Sequence, residues 1–175
     1  VTDIRLNLAC GTTHFTGGGW VNLDVVKKWP NSDCECDVLW DARTDAIPYP
    51  DYSVIEVYAG FLMLHLPPKY HDRVMADIHR VMAPGGLLHI VEVDMAEVMS
   101  RFIRDPSNPM LSELIWGEQG SLHGDLFEQF DKHCQGFTRE TMQKLLEKYG
   151  YTNFSFRGNT NPGVFWEFHV DCYKA

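Results

Sequence analysis

The chain has 175 residues, 45 % of them apolar and 13 % aromatic, which is enough for one domain with a substantial core. Its formal net charge of −9 and isoelectric point near 5.2 argue against a nucleic-acid binder that relies on a basic face. No apolar run of about 18 residues offers a membrane helix, and no basic-then-apolar leader offers a signal peptide. The five cysteines are irregularly spaced and make a poor disulfide framework, so a reducing, cytoplasmic setting is expected.

Residues 4–9 form a short apolar run, predicted as the first strand, that leads into Cys10-Gly11-Thr12-Thr13. Residues 20–25 and 36–41 read as the second and third strands, with Asp24 and Asp41 at their ends. Residues 54–60, rich in β-branched and aromatic side chains, make a fourth. Pro67-Pro68 opens a helix with Tyr70, Val74, Ile78, Val81 and Met82 at helical spacing. Pro84-Gly85-Gly86 stops it before a fifth strand at 87–93. A helix at 95–104 and an irregular stretch up to Gly136 follow. Thr138 then caps a helix carrying Met142, Leu145, Leu146 and Tyr149, which ends at Gly150. Phe154 and Phe156 alternate in a sixth strand, and Val164, Trp166, Phe168, Val170 and Cys172 in a seventh. This order of elements predicts an α/β fold on a mostly parallel sheet.

The first half of the chain departs from that scheme. Residues 11–20 are too short and glycine-rich for a helix, and 27–35 and 44–51 contain proline with little helical periodicity. The early strands partly alternate, with Ile4, Leu6 and Leu8 against Arg5 and Asn7, and Val21, Leu23 and Val25 against Asn22 and Asp24. Few or no helices are therefore expected before Pro67. One sheet face should be well buried, the other shielded by loops or by a second subunit in a homodimer.

A strand running into a small-residue turn lets a ligand approach the backbone at the carboxyl edge of the sheet, where open α/β sheets bind ligands. Asp24 is placed to accept the hydroxyls of a ribose, and Asp41 to lie beside an adenine. NAD would suit the same ribose acid. However, Cys10-Gly11-Thr12-Thr13 is not a G-x-G-x-x-G turn opening a helix.

The run Leu6-Asn7-Leu8-Ala9-Cys10-Gly11, then Gly19-Trp20-Val21-Asn22-Leu23-Asp24, resembles the class I S-adenosylmethionine-dependent methyltransferases, especially a microbial subgroup. Asp37 and Asp41, Ile47-Pro48-Tyr49-Pro50-Asp51 and the segment from Ile78-His79-Arg80 to Pro84-Gly85-Gly86 extend the likeness to about residue 94; beyond that it is diffuse. The resemblance implies one Rossmann-like domain over residues 1–175, with strand order 3-2-1-4-5-7-6 and strand 7 antiparallel. It also implies S-adenosylmethionine as cofactor, held by Asn7, Ala9, Gly11, Thr12, Asp24, Asp41, Ala42, Gly60 and Phe61. Ala9 replaces the usual first glycine. Gly60-Phe61-Leu62-Met63-Leu64-His65-Leu66 lacks a histidine and a glutamate that the family often carries there. A fold that has lost catalysis and serves as a binding partner is the alternative that this departure keeps open. The Asn/Asp-Pro-Pro-aromatic motif of many nucleic-acid amino-methylating enzymes is absent, since Pro67-Pro68 follows Leu66.

Methyl transfer from a sulfonium releases a neutral leaving group, so no acid is required and positioning supplies much of the acceleration. A hydroxyl acceptor additionally gains from a base, usually histidine. The candidates are His65, His123 and His133, while His71, early in a predicted helix, is expected to be solvated. Residues 115–136 interleave Gly117, Gly120, Gly124 and Gly136 with Trp116, His123, Phe127 and His133, the mixture expected of a mobile cover over the substrate. Glu92 and Asp94 either line the pocket or serve as acids opening the next helix. Cys34-Glu35-Cys36 has the wrong spacing for a zinc ribbon and His133-Cys134 lacks a partner pair, so no metal site is expected. The reading that results is a methyltransferase acting on a small-molecule or sugar (glycan) hydroxyl.

Overall fold

A computed structural model describes residues 3–30, 32–117, 130, 132–159 and 164–175. Strands β1 (Ile4–Leu8), β2 (Trp20–Asp24), β3 (Val38–Leu39) and β4 (Val54–Gly60) follow one another with no helix between them among the described residues. Next come α1 (Leu62–His65), a 3-10 turn at Pro68–Tyr70, α2 (His71–Val81), β5 (Met82–Val93), α3 (Met95–Arg104) and α4 (Pro109–Trp116). Helix α5 (Arg139–Lys148) and strands β6 (Tyr151–Gly158) and β7 (Glu167–Lys174) close the chain. The sheet has the order β3-β2-β1-β4-β5-β7-β6, with β7 antiparallel to both neighbours and every other pairing parallel. Fold class, strand order and the helix-poor first half are therefore as expected.

Alternation along the strands sorts the two faces. Leu6, Leu8, Leu23, Val57, Ala59, Leu88, Ile90, Phe168, Val170 and Cys172 meet Val74, Met75, Ile78 and Val81 of α2 and Met142 and Leu146 of α5 in one core. Each fully buried side chain of this size contributes about 1.5–3 kcal/mol. Among the described residues the opposite face carries no such helical layer. It shows Arg5, Asn7, Glu56, Tyr58, His89, His169 and Asp171, with Arg5 paired to Glu56 at 3.0 Å and Asn7 to Asn22 at 2.9 Å. Phe15, from the connection after β1, covers part of it edge-on to Trp20 at 4.7 Å and to Tyr58 at 5.0 Å. Helices α3 and α4 reach only its carboxyl end, where Val98 and Leu111 pack with Val93. On this face paired polar side chains stand where leftover apolar area was expected.

Several boundaries move for local reasons. The first two strands each end one residue early, at Leu8 and Asp24. The third is only Val38–Leu39, because Asp41 accepts from the Arg43 N–H at 2.9 Å and turns the chain. Met82 belongs to β5, not to the helix: it is extended and pairs with Val54. The next pair is Glu56 with Leu87, so Ala83-Pro84-Gly85-Gly86 bulges out opposite Ile55. The seventh strand begins at Glu167, not Val164, with Phe165 lying under the Arg101 guanidinium at 3.7 Å. Part of the stretch read as irregular is helix α4, started by Pro109 and capped by Asn108, whose side chain accepts from the Met110 N–H at 3.1 Å. His71 is buried, not solvated, with Nε2 3.0 Å from the Met63 carbonyl and 2.9 Å from that of Leu66. It ties the end of α1 to α2. The Thr138 cap of α5 is present as a capping box with Thr141.

Candidate functional site

A cavity of about 580 Å³ opens at the carboxyl ends of β1, β2 and β4. Its wall includes Asn7, Ala9, Gly11, Thr12, Asp24, Asp41, Ala42, Gly60 and Phe61, so the structure brings all nine residues proposed for the cofactor around one space. The turn after β1 is what makes room. Ala9 and Gly11 both take positive φ, 52° each, and the Thr13 N–H closes the turn on the Cys10 carbonyl at 2.7 Å.

Asp24 fixes this turn from the neighbouring strand. One oxygen accepts from the Gly11 N–H at 2.8 Å and the other from the Val26 N–H at 3.1 Å. Beside it, the Asn7 amide donates to the Thr13 carbonyl at 2.7 Å and to Asn22 Oδ1 at 2.9 Å. The Asn7 Oδ1 is buried and has no partner, leaving an acceptor without a donor at the cavity wall. Burial, reinforced by Asp24, pushes the Cys10 thiol up to about 12, so it is an inert wall rather than a nucleophile.

At the other end, Asp41 is gripped by Arg43 through Nε at 2.9 Å and Nη2 at 2.7 Å, which holds the carboxyl below its ordinary value. The Arg43 guanidinium lies 4.7 Å over the ring of Phe130. Arg43 and Tyr58 line the cavity and were not singled out from sequence; Phe130, Lys132 and Cys134 line it from within the stretch expected to cover the substrate. Tyr58 pairs with Asn7 across β1 and β4 and shares its face, a pairing that only the structure shows.

The three candidate histidines separate. His65 lines the cavity; its Nδ1 lies 3.4 Å from the Lys132 carbonyl, and burial pushes its imidazole down to about 4, so it is neutral at physiological pH. His133 is not on the cavity wall. It donates from Nδ1 to the Leu114 carbonyl at 3.0 Å and supports His65 edge-on at 5.1 Å. His123 lies outside the described residues, as does most of the proposed cover over 115–136. At its described ends, Trp116 is exposed and away from the cavity, while Phe130, Lys132 and Cys134 line it. Glu92 does not line the cavity. It is buried beneath α1 and accepts from the Met63 N–H at 2.9 Å. Asp94 caps α3 and pairs with Arg139 at 3.1 Å. Among the described residues no three His, Cys, Asp or Glu side chains group as metal ligands, and no helix is long and apolar enough to cross a membrane.

No protein-family model matches the chain, and no curated protein is significantly similar to it. Its likeness to solved structures is extensive. A SAM-dependent methyltransferase from Methanosarcina mazei shares 15 % identity over 99 % of this chain and 93 % of its own, with a TM-score of 0.61. One from Archaeoglobus fulgidus shares 14 % over 98 % of this chain and 86 % of its own, TM-score 0.64. The Burkholderia thailandensis 1,6-didemethyltoxoflavin-N1-methyltransferase, solved with S-adenosylhomocysteine and its substrate, shares 14 % over 98 % and 71 %, TM-score 0.61. At such identities the likeness is one of fold.

Proposed function

We propose that this chain is an S-adenosylmethionine-dependent methyltransferase whose cavity at the ends of β1, β2 and β4 holds the cofactor. One observation carries the reading: a buried carboxylate, Asp24, and Asn7, whose buried Oδ1 has no partner, line the same cavity beside a small-residue turn. An adenosyl sulfonium amino acid offers donors to both, a ribose diol to the remaining lone pairs of Asp24 and an ammonium to Asn7. Ala42, beside the Asp41–Arg43 pair, would border the adenine. When bound, the cofactor supplies an electrophilic methyl group on a sulfonium.

The chain's own residues do the rest. His65, neutral and tied to the Lys132 carbonyl, is suited to accept a hydrogen bond from an acceptor hydroxyl and orient it. At about 4 its basicity is too low for efficient proton abstraction, so its contribution lies in positioning. The cavity volume, about 580 Å³, is that of a site enclosing a small ligand such as the cofactor, and the acidic net charge of −9 favours a small-molecule or sugar hydroxyl over nucleic acid as acceptor. Isothermal titration with S-adenosylmethionine, S-adenosylhomocysteine and NAD tests the assignment. Micromolar binding of the first two and none of NAD is expected; NAD binding alone, or no adenosyl binding, would overturn it.

A further inference from the structure

On the polar face of the sheet, side chains of β5 and β7 form one continuous chain of contacts. The Asp171 carboxylate meets His89 Nδ1, His89 Nε2 lies 3.2 Å from His169 Nδ1, and His169 Nε2 lies 3.0 Å from Glu167 Oε1. A carboxylate can only accept. Both ends of the chain therefore accept, and its three hydrogen bonds require three ring protons, whereas two neutral imidazoles carry two. With only two, either a ring lone pair faces a carboxylate or the two ring lone pairs face each other across 3.2 Å.

The surroundings favour the third proton. On β6, Arg157 holds the other Asp171 oxygen and lies 3.4 Å from His89 Nδ1, but it only donates and cannot replace the ring proton. Two carboxylates, Asp171 and Glu167, stand against this one guanidinium, and a singly charged imidazole pair completes the balance. On β4, Glu56 is already matched by Arg5 of β1, and Tyr58 is the remaining titratable neighbour. The Asn159 amide donates to the same Glu167 oxygen. Burial outweighs the pull of Asp171 and holds the His89 imidazole below its ordinary value, so the third proton rests on the hydrogen-bond geometry of the pair.

The pair reaches the cavity through one ring. Tyr58 stacks on His89 with centroids 5.1 Å apart and planes 13° from parallel, and it also lines the cavity. Gly60 leaves the space its phenol occupies, since a Cβ there would stand 2.9 Å from the Tyr58 ring. We propose that His89 and His169 together hold one proton beyond their neutral complement, between Asp171 and Glu167, and that this positive pair positions Tyr58 at the cavity wall. The second half rests on the cavity being the cofactor site; the proton count does not.

Imidazole nitrogen NMR on the whole chain labelled at histidine, followed from acidic to alkaline pH, tests the count. In Glu167→Gln an amide N–H replaces the carboxylate at His169 Nε2, with the Asn159 amide turned to offer its oxygen in place of its NH₂, so two ring protons satisfy all three contacts. At pH 7 the wild type should show three protonated nitrogens over the two rings. It should lose one in a single alkaline step that also moves the Tyr58 ring signals; the variant should show two and no such step. Two protonated nitrogens in the wild type at pH 7, or identical titrations of both proteins, would overturn the proposal. Calorimetry with S-adenosylhomocysteine at the pH limits of that step tests the link to the cavity. The wild type should bind roughly threefold more weakly at the alkaline limit, the scale of a lost cation–π contact, and Glu167→Gln equally at both. Equal wild-type affinities would sink the link, whereas no binding at either pH would overturn the cofactor assignment and leave the proton count to be decided by NMR.

Discussion

Replacing Glu92 with glutamine should reverse the sign of its effect on stability between pH 5 and pH 7.5. Glu92 is fully buried; one oxygen accepts from the Met63 N–H at 2.9 Å and the other has no partner. Burial pushes its carboxyl up to about 8, against the opposing pull of the Met63 and Leu64 N–H groups. A group whose folded value is raised contributes stability that is complete below its unfolded value, here 4.5, and is lost as pH rises toward 8. Over the interval from pH 5 to 7.5 the loss is about 1.36 kcal/mol per unit, or roughly 3 kcal/mol in all. Glutamine keeps the acceptor for Met63 but buries an unpaired NH₂, at a pH-independent cost of about 1–3 kcal/mol. The variant should therefore be less stable than wild type at pH 5 and as stable or more so at pH 7.5. Urea unfolding of both proteins at the two pH values measures this. A wild-type-minus-variant difference that is the same at both, within about 0.5 kcal/mol, would refute a protonated Glu92 in the folded state.

Other substitutions probe the turn, the site and the core. Asp24→Ala should weaken S-adenosylmethionine binding by about 1–3 kcal/mol in calorimetry, the scale of a charge-assisted hydrogen bond; unchanged affinity would remove Asp24 from the site. Ala9→Gly should raise the urea midpoint, by about 0.5–1 kcal/mol in stability, because alanine at a φ of 52° carries a left-handed penalty that glycine escapes only in part through its own chain entropy. Lys174→Met should cost about 1.5–3 kcal/mol, since its ammonium donates to the His79 and Met82 carbonyls at 2.6 and 2.8 Å where α2 ends. His65→Ala should raise KM for the acceptor and lower kcat about tenfold without introducing a new pH dependence near neutrality; an acidic limb near pH 7 lost in the variant would instead make His65 a base.

What was legible in the sequence was local. The strand, turn and strand around Asn7, Gly11 and Asp24 are contiguous, and an acid ending an apolar run announces a strand end, so this part of the cavity wall could be named. The strand order came from resemblance, because register between distant strands leaves no trace in a single chain. The same limit hid the His89–His169 contact, which joins residues 80 apart through the antiparallel pairing of β5 and β7. Helix α4 is a different kind of miss. Asn108-Pro109 is a proper helix start, but it is set in a stretch whose glycines and aromatics read as loop. His71 was misplaced because helical spacing tells which residues share a face and not that a polar one among them finds two carbonyls to bind.

The missing helix after β1 bears on the choice of ligand. In dinucleotide-binding sheets the glycine turn opens a helix whose N-terminal N–H groups and dipole attract a pyrophosphate. Here the chain leaves Gly11 for an extended connection to β2, and the Gly11 N–H is already taken by Asp24. The cavity therefore presents no helix N-terminus after β1, while its buried groups there, Asp24 and Asn7 Oδ1, are acceptors. At this end of the cavity acceptors favour hydroxyl and ammonium donors over a diphosphate, while the cations on its wall, Arg43 and Lys132, stand elsewhere. The polar sheet face follows from the same economy. With no described helix packed on it, its outward side chains satisfy one another across strands, as Arg5 does with Glu56 and Arg157 with Asp171, each pair contributing about 0.2–1 kcal/mol.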